Sequence, residues 1–381
     1  MSSCTGRTIK LSIFGQSHGP AIGCTIDGLP AGYKIDINHL NQFLSRRKPF
    51  HDCISTQRHE NDIPILLSGV LDDKTNFPIT CGSPLTAIIR NKDIHPKDYE
   101  NLYQVPRPGH ADYTAGIKYN NHNDFIGGGH FSGRLTAALC LAGGIAKQIL
   151  EQNNIYVLAH ISNIGTINDE NLNPLDLDEK QISQLSNNVL PTISSDASQA
   201  MLKLIDKIHR KKDSIGGTIE CVVYGIPAGI GDPMFDGIEN QLASAIFGIP
   251  AVKGIEFGSG FKGSKLLGSQ NNDPIVPTFD QTSATFLSNN SGGILGGIST
   301  GAPIVLRAAF KPTPSIGLPQ QTIHYTTNQQ GKNIIESCTV KVKGRHDTCI
   351  VPRGVPVIEA VVAFSILDAI ISDKPELLNQ Q

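Results

Sequence analysis

The chain has 381 residues, a length that allows a large buried core and, by size alone, one to three domains. Charged residues make up 17 % of the sequence and 38 residues are glycine, which predicts a compact body with tight loops and excludes a disordered chain. A formal net charge of −2 and the lack of tryptophan argue against nucleic acid as a partner, so an anion site would need a local cluster of arginines and lysines.

The predicted helices are few, and short apolar runs punctuated by Gly and Pro lie between them. The predicted helices are Asn38–Arg47, Ser132–Glu151, Ser195–Lys212, Asp236–Phe247 and Pro356–Ile371. The last of these is apolar along its whole length, which predicts burial on nearly all sides. The predicted strands include Gly23–Asp27, Leu85–Ile89, Thr218–Tyr224 and Ile304–Ala309. Strands and helices do not alternate regularly, so we predict an α+β fold rather than a doubly wound sheet.

The two halves of the chain echo each other in sequence. Gly23–Gly32 resembles Glu220–Gly229, Gly82–Leu85 resembles Gly301–Ile304, and the Gly-His-Ala-Asp motif ending at Asp112 is loosely matched by Arg-His-Asp ending at Asp347. Coincidence among Gly and Pro turns would also produce such matches. The order of the matches is kept, so we predict one domain, residues 1–381, with repeated halves of roughly 8–152 and 213–372.

Eight cysteines are scattered along the chain without a CxxC pair. This pattern favours reduced thiols in a cytoplasmic protein over a disulfide framework or a zinc site. The segment Met1–Phe14 has no apolar run typical of a secretory signal, and no run of about 18 apolar residues predicts a membrane span. We therefore expect a cytoplasmic protein without a membrane partner.

Two motifs carry histidines in glycine-bearing loops. His18 lies in Gly15–Gly19, where flanking glycines allow close ligand approach, and His110 lies in Arg107–Tyr113 beside Asp112. Histidine gains and loses a proton near neutral pH, so both are candidates for proton transfer. The alternatives are a structural histidine at position 18 and an exposed polar loop around position 110.

Three further segments are candidates for binding anions or a cofactor phosphate. Gly127–Arg134 leads into a predicted helix, whose N-terminal N–H groups attract anions. Asn289–Gly297, followed by Lys311–Ser315, combines glycine turns with a lysine. Gly344–Asp347, with Arg353 soon after, holds an aspartate that can stay ionised and act as a base, or can be a salt-bridged turn residue.

Two other features have simpler explanations. The basic run Arg46–Lys48 ends a predicted helix and is typical of a solvated last turn. Gly258–Gly263 matches GxGxxG, but no helix is predicted after it in Ser264–Asn272, so a Rossmann site is rejected. No spacing of histidines or carboxylates resembles a metal site, and no metal is predicted.

Together and in this order, the motifs resemble those of the chorismate synthase family. The resemblance covers almost the whole chain, from Gly15 through Arg353 and the helix after it. The motifs that carry it are Arg107–Tyr113, Asp213–Gly217, Asn290–Ser299 and Gly344–Asp347. It implies a β-α-β sandwich with an internal pseudo-two-fold repeat, assembled as a homotetramer.

The resemblance also implies a reaction. The family converts 5-enolpyruvylshikimate 3-phosphate to chorismate and phosphate, the last step of the shikimate pathway, by an anti 1,4-elimination. The reaction requires reduced FMN without net redox change, because the flavin lends electron density and recovers it. NADPH is a candidate reductant, and a separate flavin reductase is a candidate partner.

Residue roles follow from the matched motifs. The resemblance implies that His18, with Ser17 beside it, protonates the leaving phosphate, that His110 maintains the protonation state of the reduced flavin, and that Asp347 assists near flavin N5. It places Ser132 near flavin and substrate. The implied FMN contacts are His130, Phe131, Ser132, Ala251, Gly296, Lys311, Pro312, Thr313, Pro314, Ser315 and Arg345. The implied contacts to substrate anions or a nicotinamide cofactor are Arg46, Arg47, Arg107, Arg134 and Arg353.

The chain departs from the commoner family pattern in three places. His130-Phe131 stands where many members have Arg-Ser, Cys53 where some have a second Arg, and Gln16 where Glu is common. These departures affect particular contacts rather than the reaction. Two alternatives remain open: an NADPH-dependent flavin reductase, and an FMN carrier without catalysis, which would bind FMN but release no phosphate.

Overall fold

A computed structural model describes residues 3–48, 61–93, 102, 104–175, 185, 190–327, 333–342 and 347–378. The α-helices are α1 Ile37–Ser45, α2 Asp112–Lys118, α3 Thr136–Glu151, α4 Ser195–Arg210, α5 Ile238–Phe247, α6 Gly260–Gly263, α7 Gly268–Asn271 and α8 Val351–Asp373. The strands of the first half are β1 Cys4–Thr5, β2 Lys10–Gly15, β3 Ala21–Asp27, β4 Pro64–Ser68, β5 Val70–Leu71, β6 Ile79–Thr80 and β7 Leu85–Arg90. The later strands are β8 Tyr156–Ile164, β9 Ile167–Asn168, β10 Gly217–Tyr224, β11 Val252–Phe257, β12 Ile275–Pro277, β13 Ala284–Phe286, β14 Ile294–Leu295, β15 Ile298–Ser299, β16 Ile304–Phe310, β17 Gln320–Thr327 and β18 Asn333–Val340.

Two five-stranded antiparallel sheets enclose a layer of helices. One sheet has the order β1-β2-β3-β7-β4 and the other β11-β16-β10-β8-β9. Helix α3 packs along α8 and against strands of both sheets, while α8 packs against β8 and β10. One hydrophobic core joins these elements. The predicted α+β fold, with its layers of sheet, helix and sheet, is therefore confirmed.

The two central helices approach each other closely because of a glycine. A Cβ added at Gly143 of α3 would lie 2.2 Å from the Ala360 carbonyl oxygen of α8, so only glycine allows this crossing. The buried Asp368 of α8 accepts hydrogen bonds from the backbone N–H groups of Thr8 and Ile9, at 2.9 and 2.7 Å. This carboxylate ties the N-terminal segment to the core, and the same segment leads into β2.

The predicted helices are confirmed, with shifted ends. Helix α3 begins at Thr136, after a 3₁₀ turn at Gly133–Leu135 that Ser132 caps. Helix α8 begins at Val351, five residues before the predicted start at Pro356. Pro352 lies in its first turn, where a proline is tolerated because the N–H groups there have no partner within the helix. Two one-turn helices, α6 and α7, also follow β11, where none was predicted.

Helix α8 is long and apolar enough to cross a membrane by length and composition, but 94 % of its most apolar window is buried inside the protein. It is therefore typical of a core helix. The seven described cysteines are free thiols, four of them buried, and burial raises the pKa of Cys24 to about 12. The single domain and its repeated halves remain predictions.

Candidate functional site

The loop between β2 and β3 carries His18. The Ser17 N–H donates to the Gly129 carbonyl at 3.1 Å, so the loop lies against the glycine run that precedes α3. The Ser17 side chain is buried. A Cβ added at Gly127 would lie only 2.3 Å from His18 Cε1 and Nδ1. The His18 imidazole therefore rests on the Gly127 backbone.

His110 rests on the next glycine of the same run. A Cβ added at Gly128 would lie 3.0 Å from His110 Cε1 and 3.1 Å from Nε2. The three glycines have φ values of +61°, +85° and +53°, a region that glycine adopts readily and other residues rarely do. Gly127 and Gly128 are adjacent, and successive Cα atoms are about 3.8 Å apart. The two imidazole rings therefore contact adjacent residues of the same backbone segment. The structure thus brings together the two histidines singled out in the sequence.

His110 is held by a carboxylate and a guanidinium. Its Nδ1 lies 2.6 Å from Asp112 Oδ1, and Arg107 donates to both oxygens of Asp112 at 2.7 and 2.9 Å. Burial alone would raise the pKa of Asp112, but hydrogen bonds from Arg107 and His110 outweigh it and hold that pKa well below its usual range. An ionised carboxylate only accepts, so Nδ1 of His110 carries a proton. The orientation of the ring is therefore set.

The Lys311–Ser315 segment packs on this loop. Arg107 Nη1 donates to Ser315 Oγ at 3.3 Å, and Lys311 Nζ donates to the Gly109 carbonyl. The Lys311 N–H donates to the carbonyl of Ala251 at 3.0 Å. The sequence-predicted FMN residues 251 and 311–315 are thus joined to the His110 loop.

Two lysines are close in this part of the site. Burial, and then the charge of Lys253, lower the pKa of Lys311. A bound anion would relieve the repulsion between the two ammonium groups. Lys253 was not predicted from the sequence, where it carries no motif signal.

A buried carboxylate lies between two arginines. Arg47 Nη2 donates to Asp62 Oδ2 and Arg134 Nη1 donates to Oδ1, and the three side chains are 4 % exposed or less. Burial would raise the pKa of Asp62, but the charges of Arg47 and Arg134 outweigh it and lower that pKa. This ion triad fixes two of the predicted substrate-binding arginines.

Asp347 is paired with Arg353. The Nη1 of Arg353 donates to both carboxylate oxygens of Asp347, at 2.9 and 2.8 Å, and its Nε donates to the Arg47 carbonyl at 3.0 Å. Thr313 Oγ1 donates to the Asp347 carbonyl at 2.7 Å. The aspartate, the 311–315 segment and the Arg47 triad therefore form one connected cluster.

Other predicted residues lie apart from this cluster. Arg46 is turned towards the core, where it makes a two-pronged ion pair of 2.7 and 2.8 Å with the buried Glu359. Gly296 lies in the turn between β14 and β15, and its neighbour Gly297 packs on Gly237 and Asp232. Their binding roles remain predictions.

The unusual pair His130-Phe131 lies beside the glycine run. His130 Nδ1 donates to the Gly15 carbonyl at 2.9 Å, and its Nε2 lies 2.8 Å from Ser3 Oγ, so this ring ties the N-terminal segment to β2. The Phe131 ring is partly exposed, and its centroid lies 6.5 Å from that of Tyr119. The predicted contacts of Arg345 and Cys53 lie outside the described residues.

Besides Lys253, sequence reasoning missed Asp62 and Asn91, which belong to the site, and Glu359, which holds Arg46 in the core. Asn91 joins Arg134 to the His18 loop. Each is a single polar residue without a neighbouring motif, and its partners are far away in the chain. A buried acidic residue would have indicated a functional site. The sequence around Asp62 does not show that this residue is buried.

The cluster has a surplus of positive charge. Within the described residues it comprises five basic side chains, Arg47, Arg107, Arg134, Lys311 and Arg353, and three carboxylates, Asp62, Asp112 and Asp347. The buried Nε of Arg47 has no hydrogen-bond acceptor among the described residues. A buried donor without a partner is costly, which indicates an anionic ligand nearby. In the described part of the chain, no group of three or more His, Cys, Asp or Glu side chains could hold a metal ion.

Comparison with known proteins identifies similar chains. Residues 9–371 match the chorismate synthase family. A chorismate synthase of Lancefieldella parvula is 44 % identical and covers 98 % of this chain and 97 % of its own length. Those of Korarchaeum cryptofilum and Thermococcus kodakarensis are 42 % and 43 % identical, covering 96 % and 95 % of this chain and 96 % of each relative.

A solved structure is similar over nearly the whole fold. A crystal structure of chorismate synthase superposes with a TM-score of 0.71 at 25 % identity, covering 97 % of this chain and 93 % of that one. The α+β fold predicted from the motifs is therefore confirmed by the solved fold of a chorismate synthase.

Proposed function

The chain belongs to the chorismate synthase family, and from that premise we propose that it converts 5-enolpyruvylshikimate 3-phosphate to chorismate and phosphate with reduced FMN, as the last step of the shikimate pathway. It is an enzyme of the lyase class. One observation carries the assignment of the site: His18 and His110 rest on successive glycines, Gly127 and Gly128, beside a cluster rich in arginine.

The charge of the cluster supports this substrate. The substrate bears two carboxylates and a phosphate, and the cluster offers more basic side chains than carboxylates. Arg47 has a buried Nε available for an anion, and Asp62 prevents its guanidinium from turning away. Guanidinium groups bind such anions with two parallel hydrogen bonds.

The residues near His110 fit a flavin phosphate. Gly128 lets the His110 ring lie against the backbone, and the charge of Lys253 acts on Lys311 in the segment that packs on this loop. We infer that Ala251, Lys311–Ser315 and Ser132 hold FMN. When bound, reduced FMN would supply the electron density that the loss of phosphate requires, and would recover it without net redox change.

The side chains of the site have separate roles in this proposal. A protonated His18 donates its proton to an oxygen of the leaving phosphate, and the nearby arginines stabilise the charge that develops there. His110, whose ring is oriented by Asp112 through Nδ1, would maintain the protonation state of the reduced flavin. Asp347, paired with Arg353, would help flavin N5 to accept the C6 hydrogen.

An anaerobic assay of phosphate release tests the proposal. Purified protein, chemically reduced FMN and 5-enolpyruvylshikimate 3-phosphate are combined without NADPH, and phosphate and chorismate are measured together. Equal yields of both products are expected, with none when FMN is oxidised. A strict need for NADPH would favour the reductase alternative, and FMN binding without phosphate release would favour the carrier.

We also propose a homotetramer in the cytoplasm, with NADPH or a separate flavin reductase as the source of electrons. Light scattering on the purified protein measures the assembly. Oxidation of NADPH by the protein alone, in the presence of FMN, would make a separate reductase unnecessary.

A further inference from the structure

We propose that Asn91 is a positioning residue that clamps the His18 loop and tethers it to the buried ion triad of Arg47, Asp62 and Arg134. The proposal rests on the function proposed for His18. Asn91 follows the last residue of β7 and is 8 % exposed, and its N–H donates to the Pro20 carbonyl at 3.1 Å.

The amide of Asn91 holds both ends of the loop. Its Nδ2 donates to the carbonyl of Gln16 at 3.0 Å and to that of Gly19 at 2.8 Å. These two carbonyls bracket Ser17 and His18. A single side chain therefore fixes the backbone before and after the imidazole.

The partners of the amide determine its orientation. Oδ1 accepts from Arg134 Nε at 2.9 Å, while both N–H donors serve backbone carbonyls. In the reversed orientation the NH₂ group would face the guanidinium and the oxygen would face two carbonyl oxygens. Asparagine is suited to this position because an amide can donate twice and accept once.

The clamp adds to two backbone hydrogen bonds of the loop, from the Ser17 N–H to the Gly129 carbonyl at 3.1 Å and from the Gly19 N–H to the Gln16 carbonyl at 3.2 Å. Gly15 and Gly19 flank it, and glycine adopts many conformations at low cost. Arg134 is itself held by the buried Asp62, so the tether ends on a rigid group. Displacing a catalytic group by about 1 Å costs on the order of 10²-fold in rate. Asn91 would therefore act on kcat through the position of His18.

The first test compares two variants that each remove a buried amide. Asn91→Ala removes the clamp, and Gln148→Ala removes a side chain of α3 that bonds the N–H and carbonyl of Asp36 at 2.7 and 3.0 Å. We expect kcat to fall roughly 10- to 100-fold in Asn91→Ala, with the Kd for oxidised FMN changed by less than about threefold, while Gln148→Ala lowers Tm with kcat within about twofold. A kcat within about threefold of wild type in Asn91→Ala would overturn the proposal.

Asn91→Asp separates the clamp from the tether. The carboxylate keeps an acceptor for Arg134 but has no N–H to donate to the carbonyls of Gln16 and Gly19. The expected result is a fall in kcat comparable to that of Asn91→Ala. Full kcat in Asn91→Asp would show that only the contact with Arg134 matters and would overturn the clamp.

Hydrogen exchange tests the clamp without any reaction. The backbone amides of Gly15–Gly19 are expected to exchange about tenfold faster in Asn91→Ala than in wild type or Gln148→Ala, because local opening becomes easier. Unchanged exchange would overturn the proposal. If the wild-type protein releases no phosphate, the proposed function fails, but this measurement still decides whether Asn91 clamps the loop.

Discussion

Gly127→Ala is expected to displace His18 with little other change. The Cβ of the new alanine would lie 2.3 Å from His18 Cε1 and Nδ1 and 2.9 Å from Ser17 Oγ. Carbon contacts are comfortable at about 3.5 Å or more, so the imidazole must retreat by about 1 Å. Both neighbours are side-chain atoms, so the backbone of the loop can stay in place.

The magnitude follows from two separate effects. The left-handed backbone at Gly127, with φ of +61°, costs alanine roughly 1–2 kcal/mol of stability. A shift of about 1 Å in a catalytic group lowers kcat by about 10²-fold. Gly128→Ala places its Cβ 3.0 Å from His110 Cε1, so that ring needs to move only a few tenths of an ångström, and we expect a smaller loss of kcat.

The assay measures Tm and the rate of anaerobic phosphate release with reduced FMN. Gly32→Ala is the matched control, because Gly32 has φ of +94° and a Cβ there meets nothing within 4 Å. It imposes backbone strain without touching the site. We expect both Gly127→Ala and Gly32→Ala to lower Tm, and only Gly127→Ala to lower kcat substantially.

Two results would refute this reasoning. If Gly127→Ala keeps kcat within about threefold of wild type, the position of His18 does not limit the reaction. If Gly32→Ala lowers kcat as much as Gly127→Ala, strain rather than displacement is responsible.

His18→Ala and His110→Ala are each expected to lower kcat by roughly 10²–10⁴-fold, the usual contribution of a general acid or base, and a loss under about threefold in steady-state phosphate release would contradict the assigned role. Asp347→Asn is expected to retain FMN binding, measured by flavin fluorescence, while slowing elimination; loss of FMN binding would make this residue structural. Asp62→Asn breaks a buried ion triad and is expected to cost about 3–5 kcal/mol in urea unfolding at pH 7. Because the pKa of Asp62 is lowered by its arginines, this difference should be constant above about pH 5 and shrink as the pH falls below about 4. A difference at about pH 2 that is as large as the one at about pH 7 would contradict an ionic origin.

The elements that could be predicted from sequence are those with local causes. Helix α4 was predicted at its observed start because its apolar residues recur on one face, and the structure shows that Ser194 caps this start. The predicted start of α8 at Pro356 was five residues late, because the buried core around Pro356 stabilises a helix that contains this proline. Tertiary packing outweighed the local rule there.

The candidate site was predictable only in part. The motifs around His18 and His110 are visible in the sequence because glycines flank them, but their meeting on Gly127 and Gly128 is not. The bonds of Arg134 span 43 residues to Asn91 and 72 to Asp62. The periodicity of the sequence cannot predict hydrogen bonds between residues so far apart in the chain.

The sequence by itself determined the family, the class of fold and the loops that hold the reactive side chains, because glycine spacing, caps and apolar patterns act over a few residues. Only the tertiary structure decided which basic side chains share the site. Arg46 and Arg47 are neighbours in the chain, yet one pairs with Glu359 in the core and the other with Asp62 beside Arg134. Burial determines these different partners. A charged side chain that is removed from water needs an oppositely charged partner, and the fold determines which one lies within reach.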